Sequence, residues 1–176
     1  MTSQTGPATV RLGIIILAGL LTFSMNTVAW SQVVGDEAEM DRLKAKAEEA
    51  IANDDPEGAA MSMGRAALMA KQLAIKYKDS GSAAGVYQGA ESLFRSQEHA
   101  YRAMALFRRA GGQLPASSGV CGSLALAQTH VQHASSMLGR NGNVTGNLAE
   151  RATTLLATAE DWTTVIASMI SDYQCP

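Results

Sequence analysis

A chain of 176 residues with 47% hydrophobic and 17% charged residues is long enough for one domain with a real core and too apolar for a disordered tail. Its formal net charge of −2 gives no general reason to expect nucleic acid or an anionic membrane as partner. Aromatics are only 5%, alanine is abundant and there are nine methionines, a composition that favours close-packed helices over sheet.

Met1 to Val10 is polar and carries no acid, Arg11 adds a positive charge, and Leu12 to Met25 is an apolar run of fourteen residues. That run is short for a membrane span, which needs about 20 residues, but right for the core of a signal peptide. Thr27-Val28-Ala29 and Ala29-Trp30-Ser31 put small residues where a signal peptidase reads, so cleavage after Ala29 or Ser31 is expected. The alternative is an uncleaved anchor extended through Val28, Ala29 and Trp30. No twin arginine is present and no cysteine follows the run, so neither twin-arginine export nor a lipoprotein anchor is indicated. The expected address is periplasmic or extracellular. Cys121 and Cys175 fit it, since two cysteines in an exported chain are most simply one structural disulfide.

Six helices are expected from periodicity and punctuation. The first runs from about Gly35 to Asn53, with acids in its opening turns, where the helix dipole favours them. Asp55 is a natural N-cap and Pro56 a natural first residue for a second helix, reaching about Tyr77. After the turn at Asp79-Ser80-Gly81-Ser82 a shorter third helix holds Val86, Tyr87, Ala90, Leu93 and Phe94. Ser96 offers a cap for a fourth, about Gln97 to Ala110, stopped by Gly111-Gly112. A fifth helix spans about Val120 to Leu138. The sixth follows a strict four-three alternation of Leu148, Ala152, Leu155, Ala159, Trp162, Ile166, Met169 and Tyr173, the seam of a helix packed lengthwise on a partner element or on a second copy. Asn147 with Glu150 resembles a capping box. Helices five and six should lie antiparallel, with the tail Ser171 to Cys175 folding back so that Cys175 reaches Cys121. The expected organisation is a signal peptide over residues 1–31, helical hairpins over 32–112, a loop over 113–119 and a disulfide-stapled hairpin over 120–176, the last three in one compact all-α domain.

In the segment Tyr87 to Pro115, the residues Tyr87, Ala90, Phe94, Ala103, Phe107, Ala110 and Pro115 stand at offsets that resemble a tetratricopeptide repeat. Glu91 departs from the pattern, standing where that family has a small residue. A looser unit covers Lys44 to Ala67, through Ala47, Ile51, the Asp54-Asp55-Pro56-Glu57 turn, Ala60 and Ala67. The resemblance concerns packing positions in under half of the mature chain. It implies stacked antiparallel helical hairpins and, by analogy, binding of a protein or peptide.

Residues 36 to 57 are mainly acidic and residues 65 to 109 mainly basic. Arg65, Lys71, Arg95, Tyr101 and Arg102 are therefore the candidate partner-binding residues. His130 and His133, three apart on the fifth helix, are the candidate metal ligands, with His99, Glu160 or Asp161 as further donors. Met61, Met63 and Met69 do not converge on one helical face and read as core packing. There is no GxSxG elbow, no HExxH and no phosphate-cradling glycine loop. The chain reads as a protein- or peptide-binding module that is not an enzyme and needs no cofactor, with a metal- or ligand-holding bundle as the alternative.

Overall fold

The computed structural model describes residues 24–140 and 144–176, with side chains from residue 35 onward. Residues 1–23 of the predicted signal peptide over residues 1–31, most of its Leu12 to Met25 core included, lie outside the described residues. Five helices are present among the described residues: α1 Ser24–Ala52, α2 Pro56–Lys76, α3 Gly81–Arg109, α4 Ser118–Gly139 and α5 Asn147–Asp172. The chain divides into residues 1–35 and a compact unit over 36–176. The compact unit takes in α1 from Asp36 onward together with the four later helices.

Consecutive helices of this unit alternate in direction. Lys76 at the end of α2 meets Asp36 near the start of the α1 portion at 3.0 Å. Ser92 and Ser96 of α3 meet His133 and Ala127 of α4 in reverse order. Tyr101 and Phe107 of α3 pair with Trp162 and Tyr173 of α5 in the same order, so α3 and α5 are parallel. The result is an up-and-down bundle with α3 at its centre: seventeen of the 29 residues of α3 are buried, against four of the 26 in α5.

Small side chains make this packing possible. On α2 the inward face is Ala59, Ala66, Ala67 and Ala70 with Met63 and Leu73, all fully buried. Alanine is the best helix former and loses no rotamer freedom on burial. Tyr87 and Phe94 of α3 then fill the centre, each fully buried aromatic contributing on the order of 1.5–3 kcal/mol. A smaller cluster of Ala103, Val120 and Leu124 closes the disulfide end, with Phe107 and Tyr173 stacked at 4.2 Å.

Polar ties hold the opposite end. Arg151 of α5 forms a bidentate pair with Asp41 of α1 at 2.9 and 3.0 Å, and Tyr87 of α3 donates to Glu37 of α1. Burial, and secondly that bond to Glu37, push the Tyr87 phenol well above its ordinary value of 10, so it stays a donor.

Several expected boundaries hold. Asp55 caps α2, accepting from Gly58 N at 2.9 Å with Pro56 at the first helical position. The tail folds back as expected: Gln174 takes φ 52°, Cys175 N donates to Ile170 O at 3.0 Å, and Cys121 and Cys175 are bonded. The seam of α5 faces its own chain, with Ala152, Leu155, Ala159 and Ile166 buried in the core.

Two expectations are corrected. The capping box does not form, because the cap position falls on Gly146 at φ 63° and Asn147 is the first helical residue. The expected third and fourth helices are one continuous α3. Ser96 is fully buried within α3 and donates its hydroxyl to Ala127 O of α4 at 2.7 Å, so its side chain cannot turn back to cap a new helix. There is consequently no interhelical turn between Phe94 and Ala103, where the repeat resemblance requires one. Ala103 packs with Val120 and Leu124 of α4, while Tyr87 stacks on Tyr77 at 5.3 Å.

Candidate binding groove

The outer edge of α2 carries residues that the alanine-lined core does not need. Met61, Leu68 and Ile75 are 64%, 49% and 62% exposed. They stand seven residues apart, so they lie nearly in line along the helix. This corrects the assignment of Met61 to the core; Met63 is fully buried, as expected. The apolar line borders two pockets that follow one another along the α2/α3 face, of about 580 Å³ and about 350 Å³, and the two together are called the groove below.

The facing wall is α3, and its contribution is charge. Arg95, Arg102 and Arg109 are also seven apart and line the larger stretch. Between them Glu98, 8% exposed, accepts from Arg95 and Arg102 at 2.7 Å each. Gly64 makes room for that carboxylate: a Cβ at position 64 would lie 3.1 Å from its carboxyl carbon. Arg109 pairs with Glu57 at the groove's end. Arg65, Lys71 and Lys78 line the groove without an ion pair among the described residues.

The sequence candidates thus separate. Arg65, Arg95 and Arg102 come together in the larger stretch and Lys71 lines the smaller one. Tyr101 does not belong with them: it is 7% exposed and packs edge-on against Trp162 in the α3/α5 interface. Burial there pushes its phenol up to about 12. Sequence reading missed Met61, Leu68 and Ile75 as surface residues. The available signal was their spacing of seven on a helix whose inner stripe was already supplied by alanines.

His130 stacks on His99 across the α3/α4 interface, centroids 5.5 Å apart and planes 7° apart, while His133 Nδ1 meets Ser92 Oγ at 3.0 Å. The parallel rings of His99 and His130 keep their in-plane lone pairs from converging on one ion. Among the described residues no group of three His, Cys, Asp or Glu is placed to hold a metal. Burial holds both His99 and His130 below the ordinary imidazole value.

Comparison with family models, with curated proteins and with solved structures returned no match to this chain. Among the described residues no helix is long and apolar enough to cross a membrane.

Proposed function

We propose that this chain is an exported helical module that binds a protein or peptide in the groove between α2 and α3. The observation that carries the reading is the line Met61, Leu68 and Ile75, three large apolar side chains left exposed along one helix and flanked by Arg65, Lys71 and Lys78, which form no ion pair among the described residues. Contiguous exposed apolar surface with a polar rim is the usual mark of an interaction site. The disulfide is compatible with export, because such bonds form and persist in oxidising compartments.

Photo-crosslinking in cells tests the reading. A photoreactive residue at Leu68 is expected to give a discrete adduct, and one at Val165, 43% exposed on α5, is expected to give none. Equal adducts from both positions, or none from either, would count against the groove. Fractionation of the same cells tests the export component, which fails if the chain stays in the cytoplasm with its cysteines reduced.

A further inference from the structure

We propose that the occupant of this groove is a single amphipathic helix of a partner protein, apolar along one seam and acidic along its flanks. The proposal rests on reading the groove as a binding site, and it adds the shape and charge of the partner.

Shape comes from the spacing of the groove residues. On α2 the lining includes Glu57, Met61, Gly64, Leu68, Lys71 and Ile75, separated alternately by four and three residues. On α3 it includes Gln88, Glu91, Arg95, Glu98, Arg102 and Ala105, which keep the same alternation. Four-three alternation is the signature of a helix presenting a seam to another helix lying along it. Here two antiparallel helices present such seams side by side, and no third helix of the described chain occupies the valley between them. Both walls are helical and offer no open backbone edge, so an extended peptide has no ladder to join, whereas a helix laid in a groove needs only matching side chains. From Glu57 to Ile75 the valley runs about 27 Å at 1.5 Å per residue, the length of five helical turns.

Charge fixes the rest. Of the groove's ionic residues six are cations (Arg65, Lys71, Lys78, Arg95, Arg102, Arg109) and three are acids (Glu57, Glu91, Glu98). This surplus of three positive charges sits on a chain whose net charge is −2. A second copy docking through the same face would set that surplus against itself, which complementary interfaces avoid. An acidic helix instead places its apolar seam on Met61, Leu68 and Ile75. Its carboxylates then reach Arg65, Lys71 and Lys78, and compete with Glu98 for the forks of Arg95 and Arg102.

A display library tests this. It consists of 21-residue helices with Leu, Ile, Met or Ala at the a and d positions and Glu, Lys, Gln or Ser at e and g, selected on the purified full-length chain. Selected helices are expected to carry Glu at the flanks. As synthetic peptides they should bind with an affinity that falls with added salt and falls at least about tenfold on Leu68→Asp. The triple change Arg65→Glu, Lys71→Glu and Lys78→Glu should reverse the preference toward Lys-flanked peptides by about tenfold or more. All these positions are exposed, and thermal melts of each variant establish that it folds. Winners with basic or neutral flanks that still need Leu68 would overturn the acidic partner and leave a helix-binding groove. No winners, together with a discrete crosslink from Leu68, would overturn the helical partner alone. Winners indifferent to Leu68→Asp would sink both readings. A dimer by sedimentation that Leu68→Asp dissolves would make the occupant a second copy and overturn the proposal.

Discussion

Gly89 on α3 faces Leu138 on α4, and a Cβ placed at 89 would lie 2.6 Å from Leu138 Cγ. Alanine in place of a helical glycine ordinarily gains about 1 kcal/mol of propensity, whereas forcing a methyl into a packed site costs about 1–3 kcal/mol. Gly89→Ala is therefore expected to lower stability in urea melts, and to raise it in a Leu138→Ala background where the space is free. A gain in both backgrounds would mean that α3 and α4 are not packed this closely. Gln174 is the converse case, a residue with a side chain at φ 52°. Gln174→Gly should stabilise by about 0.5–1 kcal/mol, since glycine carries no penalty in the left-handed region.

At the scale of elements the α3/α4 interface carries a pH dependence. His99 and His130 are lowered from the ordinary value of 6.5, in each case first by burial and then by neighbouring charges: Arg102, Arg95 and the other imidazole beside His99, Arg95 and His133 beside His130, with Glu98 and Glu91 opposing. Their neutral forms are favoured in the fold, so the unfolded chain takes up protons first as the pH falls. Their contribution to stability is full above about pH 6.5 and lost as pH drops through the lower folded values. Thermal midpoints from pH 7.5 to 5 should fall more steeply for the native chain than for the His99→Gln/His130→Gln variant; parallel curves would mean that the stacked pair does not set the pH dependence.

Which elements were legible in the sequence depends on where their determinants lie. The start of α2 is written in Asp55 and Pro56, and the end of α3 in Gly111, whose φ of 73° few other residues adopt readily. The continuity of α3 at Ser96 depends on a carbonyl 31 residues away on α4, which no local pattern contains. The groove was half legible for a similar reason. Its arginines announce themselves as charge, but Met61, Leu68 and Ile75 are surface residues only because alanines on the other face of α2 already satisfy the core.

For the whole molecule the disulfide is the main covalent constraint. Cys121 and Cys175 close 54 residues with Cα atoms 5.4 Å apart, which on chain-entropy grounds stabilises by about 4 kcal/mol. Reduction should lower the urea midpoint by a corresponding amount, and the Cys121→Ser/Cys175→Ser variant should match the reduced protein. An unchanged midpoint would mean that the α4/α5 hairpin is held by its side chains alone.

The same bond also divides the chain by what happens when it is cut. A protease nick anywhere between residues 121 and 175 leaves the pieces of α4 and α5 covalently joined, so the clipped molecule stays whole on a gel until a thiol is added. A nick in the α2/α3 turn at Tyr77–Ser80 separates the chain into two polypeptides at once. The half of the molecule that lines the groove is thus the half without a covalent safeguard, and a cut there shows alike on gels run with and without thiol.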